Sequence, residues 1–368
     1  MYPFSFVFSF LRQRPLRPVL LTLLGAVVLA ALMVAGSTAL VGARRAAAAE
    51  EGHGGSTRIT PLTEIPRGAQ RVEVGMYPIT FYSLNEETNT YYADAYMWFI
   101  WRGDKDPTET MELVNAVEEW SMVRRNLNNP PVKLPDGRLL QLVHVEGRFF
   151  QPFALGRFPF DEHHLSIQLE DTFYTARDIV YVPDQTHSGY DELLKIPGWN
   201  IQDWKMEAML RTYPTNFGDP AVGGDESQFA HLRYELSITR PLSYFAWRLF
   251  LPLAITMILT WSALLIHPEK VEPRTALPAT GLLTAVLLQL GYSEQLPDIG
   301  HLMLMDKIYV LSYVLIVFVL GEAIIMARWA HREAEKSRVA RAHRLDRIML
   351  GLQIITFCAG TAFLIRFG

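Results

Sequence analysis

Apolar and polar positions change their rhythm along this chain. Between residue 72 and about residue 238 apolar side chains come in short runs broken by polar ones. Residues 164–169 (HLSIQL) and 232–239 (LRYELSIT) alternate with a period of two, the pattern of strands with one buried face. Residues 93–101 (ADAYMWFIW) are rich in aromatics, as strands are. Residues 139–144 follow Pro135-Asp136-Gly137, a turn sequence. Short strands with regular turn punctuation predict an all-β sandwich or barrel. Only the stretch 112–125 reads as weakly helical. From Phe245 onward four continuous apolar segments take over, at about 245–266, 277–290, 308–326 and 348–365. The first, third and fourth approach the roughly 20 residues that span a hydrocarbon core. With their flanks, the four predict helices at about 245–266, 272–292, 304–327 and 346–367.

The charged residues between these segments predict a topology. Arg328, Arg332, Lys336, Arg338, Arg341, Arg344 and Arg347 lie between the third and fourth, opposed only by Glu333, Glu335 and Asp346. Lys270 and Arg274 lie between the first and second, and residues 293–298 carry acids and no base. Basic loops stay inside, so the β domain and the C-terminus lie outside. The N-terminus agrees. Arg12, Arg14 and Arg17 precede a charge-free run over 19–34, followed by small residues at 35–39 and 46–49. That order is the pattern of a secretory signal peptide, and the length of the run also suits an uncleaved anchor helix. The expected organisation is therefore a leader or anchor over 1–49, a linker over 50–71, a β-sandwich over 72–241 and a four-helix membrane domain over 242–368.

Composition narrows the chemistry. The chain has 368 residues and a formal net charge of −4, which suggests no nucleic-acid partner. Its one cysteine, Cys358, sits in an apolar segment and closes no intrachain disulfide; it reads as a small hydrophobe. His163 and His164 are neighbours on a predicted strand, so they point to opposite faces and share no metal. Asp161 and Glu162 are separated in the same way, which defeats an acid/base pair. No glycine-rich phosphate loop is present. We therefore expect no catalytic residue, metal or cofactor.

The second apolar segment is unlike the others. Glu272, Ala276, Thr280, Leu283, Leu287, Leu290 and Glu294 are spaced by three and four, which places them on one helical face. That face is acidic at both ends, small and polar in its first half and leucine-rich in its second. Several copies around an axis would form two acidic rings and a stack of leucine rings able to gate by dewetting. The plainer alternative is that Glu272 and Glu294 are interfacial end charges with no pore between them.

At this point the residues resemble a family. Phe158-Pro159-Phe160-Asp161 is similar to the motif at the base of the sandwich in pentameric, Cys-loop-type ligand-gated ion channels, and the flanking cysteines are missing as in bacterial members. Trp101-Arg102-Gly103-Asp104 resembles that family's Trp-x-x-Asp strand ending. Gly75-Met76-Tyr77 with Tyr82-Ser83-Leu84 resembles the first strand and its loop. Gly198-Trp199, Ile238-Thr239-Arg240-Pro241, Leu251-Pro252 and Leu296-Pro297 match later landmarks in order. The resemblance covers residue 72 to the C-terminus. It implies an immunoglobulin-like extracellular sandwich, four transmembrane helices with the second lining the pore, and a homopentamer in a bacterial inner membrane. The implied partners are four identical subunits, the lipid bilayer, permeant inorganic ions and a small-molecule agonist bound between subunits.

By position the resemblance assigns Tyr96 and Trp98 to the complementary side of that agonist site. It places Phe173 and Tyr174 in a principal-side loop, and Tyr213, Phe217 and Phe229 around the capping hairpin. Such aromatics suit a cationic amine, while each of them also suits the sandwich core. Glu86, Pro159, Phe160, Asp161 and Arg240 fall where sandwich and pore couple in the family. Acidic rings predict cation selectivity. Pro273-Arg274 resembles instead a segment of anion-selective members, and Arg274 is expected to turn from the axis and snorkel to the cytoplasmic interface. Two departures stand out: Trp120 replaces a Trp-x-Pro segment, and Pro278 lies inside the pore helix, where it removes a hydrogen bond and favours a kink. Two other classes compete, a non-conducting membrane sensor, which leaves the pore-like face unexplained, and a membrane enzyme, which needs an acid or histidine cluster that the helices lack.

Overall fold

A computed structural model describes residues 56–218, 225–294, 296–297, 300–331 and 336–367. The leader and anchor readings of 1–49 lie outside the described residues. The chain divides into two compact units, a sandwich unit that includes 160–241 and a helical unit that combines 155–159 with 242–368.

Two sheets build the sandwich. One runs in the order β1 (Arg58–Pro61), β11 (Asn200–Tyr213), β12 (Ser227–Thr239), β9 (Glu162–Asp171) and β4 (Met111–Leu113). The other runs β10 (Ile179–Pro183), β2 (Gln70–Asn85), β3 (Thr90–Trp101), β8 (Leu139–Phe150) and β5 (Ala116–Val117), with β6 (Val123–Asn126) and β7 (Val132–Lys133) also paired to β8. Pairing is antiparallel except between β10 and β2. The four segments read as strands from their pattern lie within β3, β8, β9 and β12. Alternation fixes which face each strand buries. Ala93, Ala95, Met97, Phe99 and Trp101 of β3 are buried, as are Val143 and Val145 of β8, Leu165, Ile167 and Leu169 of β9, and Leu232, Tyr234, Leu236 and Ile238 of β12. Each of the valine, leucine, isoleucine, methionine and phenylalanine side chains so removed from water contributes roughly 1.5–3 kcal/mol before entropy is counted.

Two expectations are corrected here. The stretch 112–125 is not helical: it carries the end of β4, then β5, a 3-10 turn at Glu119–Ser121 and β6. Pairing to β9 and β8, more than a dozen residues distant in sequence, overrides a helix-like local composition. One helical turn does occur just before it, Pro107–Thr110, where Asp106 accepts a hydrogen bond from the Thr108 amide. The range 50–71 is not merely a linker, because Arg58–Pro61 adds a strand to the edge of β11 and β2 begins at Gln70. Trp120 is 87% exposed and fills no core position.

Four helices in the other unit are long and apolar enough to cross a membrane. They are α1 (Leu242–Leu265), α2 (Val271–Ser293), α3 (Leu304–His331) and α4 (Lys336–Phe367). The helix α1 contains a π-helical turn at Ala246–Phe250 and tightens to 3-10 at Ala263–Leu265. The helix α2 continues through Pro278. The helix α4 starts ten residues before the expected 346, so Arg338, Arg341 and Arg344 lie on helix rather than loop. Met257, Trp261 and Leu264 of α1 pack with Ala285 of α2 and Leu315, Ile316 and Val319 of α3. Met326 of α3 meets Ala342, Leu345 and Met349 of α4.

Close approach of α1 and α2 depends on Gly281. A Cβ there would stand 2.2 Å from Oγ1 of Thr260, and that hydroxyl is buried and donates to the Thr256 carbonyl at 2.9 Å. A methyl group therefore forces the helices apart, an overpacking effect of about 1–3 kcal/mol. We expect Gly281→Ala to lower the melting temperature of the detergent-solubilised protein. Gly351→Ala, where an added Cβ meets nothing within 4 Å, should leave it unchanged or higher.

Candidate functional site

The antiparallel register of β12 with β9 sets Thr239 opposite Glu162, so Arg240 and Asp161 follow as the next facing pair. Arg240 Nε donates to both Asp161 carboxylate oxygens at 3.0 Å, and its Nη2 donates to Glu86 Oε1 in the β2–β3 turn. The guanidinium also lies 4.4 Å from the centre of the Trp199 ring. Asp161 is almost fully buried. Burial alone raises its pKa, but the hydrogen bond to His163 and the charge of Arg240 outweigh it, so the carboxyl titrates below its ordinary range. Three of the five residues assigned to coupling thus form one cluster. Pro159 is buried and Phe160 half-buried, and the unit boundary falls between them. Phe158 stacks on Tyr292 and meets Phe245 edge-on inside the helical unit.

His163 completes the cluster and went unassigned in the sequence. Its Nε2 lies 2.6 Å from Asp161 Oδ2, and its ring meets Trp199 and Phe153 edge-on at 5.2 and 5.1 Å. The signal was available: His163 is two residues from Asp161 on one strand and therefore shares its face. His164, one residue on, is exposed and contacts Ser237 instead.

The aromatic candidates fall into separate groups. Tyr213, Phe217 and Phe229 form one cluster, with ring centres 5.2, 5.9 and 6.3 Å apart. Tyr213 donates to Glu170 Oε2 at 2.8 Å, and Arg211 packs over its ring while bonding Glu170 Oε1. Buried His231 also meets Glu170 Oε1, at 2.8 Å. Burial pushes the Glu170 pKa up, but hydrogen bonds from His231, Tyr213 and Arg211 bring it below the usual value. Phe173 is exposed and edge-on to Tyr174, whose ring carries Lys105 Nζ at 4.8 Å. Tyr96 and Trp98 stand on the outward side of β3, half-buried. Tyr96 packs on His144 at 5.1 Å. Trp98 lies over Gly75, where any Cβ would fall within 2 Å of the indole, and its Nε1 donates to Asp184 at 3.1 Å. Trp98 is thereby locked in place, whereas Phe173 and Phe217 are free to meet a ligand. Among the described residues no group of three histidine, cysteine or acidic side chains could hold a metal ion.

On α2 the seven face residues, Glu272, Ala276, Thr280, Leu283, Leu287, Leu290 and Glu294, are all exposed. Arg274, Pro278, Gly281, Ala285 and Tyr292 form the opposite, buried side. Arg274 departs from its expected course. It does not reach the interface but is wholly buried, with Nη1 and Nη2 donating to the two oxygens of Asp346 on α4 at 2.9 Å. A carboxylate inside the bundle outcompetes snorkelling because it supplies a bidentate partner out of water.

A β-sandwich joined to four spanning-length helices, one of them polar along its uncovered face, defines a membrane channel with an attached receptor domain. Known proteins agree. No family model matches the chain. It is 23% identical over 309 residues to the proton-gated ion channel of Gloeobacter violaceus, covering 80% of this chain and 83% of that one. It is 25% identical over 188 residues to the gamma-aminobutyric acid receptor subunit beta-4 of Gallus gallus, covering 50% of this chain and 36% of that subunit. These similarities agree with the resemblance of the chain to the pentameric, Cys-loop-type ligand-gated ion channels.

Asp161 and Glu170 both bind protons less tightly when folded than at their ordinary values of 3.8 and 4.5. Their contribution to stability is therefore complete above those values and lost as pH falls through the lower folded ones. We expect tryptophan fluorescence to report acid unfolding of the sandwich in that range. Asp161→Asn should be less stable at pH 7 and should lose less on acidification than the parent.

Proposed function

We propose that this chain is one subunit of a homopentameric cation channel in a bacterial inner membrane, with its sandwich and C-terminus on the periplasmic side. The observation that carries this reading is the uncovered face of α2. A face with carboxylates at both ends and hydroxyl and leucine side chains between needs neighbours, and closed cyclic symmetry supplies them around a pore. Five copies of Glu272 and of Glu294 would concentrate cations and repel anions at the two mouths. Leu283 and Leu287 would form the hydrophobic gate, with Ala276, Thr280 and Leu290 completing the wall. The basic Arg274 argues for anions only if its charge reaches the axis. Its pairing with Asp346 favours the cation reading.

A small amine bound between subunits is the proposed agonist. Phe173, Tyr174, Tyr213, Phe217 and Phe229 would form the principal side, with Tyr96 and Trp98 of the neighbour opposite. Glu86, Pro159, Phe160, Asp161 and Arg240 would carry the signal onward. Arg240 stands two residues before α1, and Asp161 two residues after the Pro159 end of the helical unit, so strain in that cluster has covalent routes into the helices. A second reading, protons as the agonist, is favoured by two acid–histidine pairs in the sandwich, His163–Asp161 and His231–Glu170. The Gloeobacter relative is named for that stimulus.

Native mass spectrometry in mild detergent should give five subunits. Leu283→Ser protein in vesicles should conduct without ligand, because a hydroxyl ring wets the gate. Its reversal potential should follow the potassium gradient, and adding Glu272→Gln should weaken that preference. A reversal potential that follows chloride would overturn the selectivity. A step to pH 5 on otherwise unmodified protein separates the two agonist readings.

A further inference from the structure

Three ionisable side chains meet inside the helical unit, each from a different helix. Arg274 of α2 and Asp346 of α4 are 0% exposed, and Glu322 of α3 is 1% exposed. Arg274 gives Nη1 and Nη2 to Asp346 and shares Nη1 with the Ile266 carbonyl at 3.3 Å, which leaves its buried Nε without a partner. Glu322 has neither carboxylate oxygen hydrogen-bonded; it lies one turn before Met326, which packs with Leu345 and Met349 on either side of Asp346, and it is within electrostatic reach of Asp346 and Arg274. The other titratable group near Asp346 is His343, whose ring packs on His267. One guanidinium thus has two buried acids in its neighbourhood and bonds only one.

A buried carboxylate with no donor is unfavourable, and in a membrane protein such a group points to function. Here the arrangement is symmetrical in kind. Whichever acid Arg274 bonds, the other is left without a partner in the same apolar surroundings. Neither pairing wins by a large margin on that ground, and two nearly balanced packings of one element make a bistable joint. Arg274 sits in the first turn of α2, four residues before Pro278, so its carbonyl is the one that proline leaves without an intrahelical donor. The backbone at that turn is accordingly freer to adjust than elsewhere in the helix.

We propose that Asp346 and Glu322 are alternative partners of Arg274, and that exchange between them shifts the first turn of α2 between two positions, one of which favours an open pore. The structure holds the Asp346-bound arrangement. The free Nε of Arg274 and the free oxygens of Glu322 are the groups the second arrangement would join. The link to opening rests on the channel reading above; the exchange itself does not.

The test is a double-mutant cycle in full-length, oligomeric protein, read first as melting temperature. Glu322→Gln alone should cost little, because the present pair survives. Asp346→Asn alone should cost only moderately, because Glu322 takes over. The double variant strands Arg274 and should fall below the sum of the single shifts by about 2–4 °C or more. Additive shifts would overturn the proposal. So would an Asp346→Asn protein that fails to assemble, since Glu322 would then be unable to replace Asp346. The second readout is potassium flux through Leu283→Ser vesicles, which needs no agonist. Locking each arrangement should move flux in opposite directions, by at least about fivefold between the two single variants. Equal or same-direction changes would overturn the proposal. Loss of flux from Leu283→Ser itself, with the thermal cycle non-additive, would instead refute the channel reading alone.

Discussion

Hydrocarbon offers neither water nor hydrogen-bond partners, and the helical unit is organised by that deprivation. Four helices satisfy their own backbones, and the exposed positions in the middle of α3 and α4 are largely apolar, among them Val317, Ile324, Ile325, Leu352, Ile354 and Ile355. Among the described residues charge is admitted mainly in two ways, with the buried, unbonded Glu322 as an exception. Charge is turned inward and paired, as Arg274 is with Asp346, or it is kept to helix ends, as Glu272 and Glu294 are. The polar face of α2 and the buried ion pair at its first turn are then opposite sides of a single arrangement. A helix that shows Thr280 and two acids on one side must anchor itself by the other. The anchor is Gly281 against Thr260 at mid-helix and Arg274 below it.

The sandwich solves the reverse problem. Water is abundant, and apolar alternation defines the interior without help. Charge enters its core where geometry has to be unique. One cluster sets Arg240 between the carboxylates of Asp161 and Glu86, with His163 also on Asp161, and the other gathers Arg211, Tyr213 and His231 onto Glu170. Removing one member of such a set strands the rest, which makes each cluster sensitive to the loss of a single partner.

Periodicity revealed most of this architecture and missed its exceptions for identifiable reasons. The strand cores of β3, β9 and β12 were legible because one face is apolar at every second residue. The polar face of α2 was legible because its spacing is helical and its chemistry unlike its neighbours'. The stretch 112–125 was misread because Met111–Leu113 and Val123–Asn126 owe their extended form to partners far along the chain, and no local pattern records them. The buried course of Arg274 was not legible because its partner, Asp346, lies seventy-two residues later and no local pattern records it. His163 was dismissed by comparison with its immediate neighbour, when the relevant comparison on a strand is two residues away.

The uncovered side of α2 also bears on biogenesis. A solitary subunit in a bilayer would turn Thr280 and the two acidic ends of that helix toward lipid tails, an arrangement no amount of repacking within one chain can relieve, since the other side of α2 is already committed to Thr260 and Asp346. Insertion and oligomerisation are therefore coupled by solvation. An unassembled copy would carry a hydrophilic stripe at membrane depth that assembly would remove.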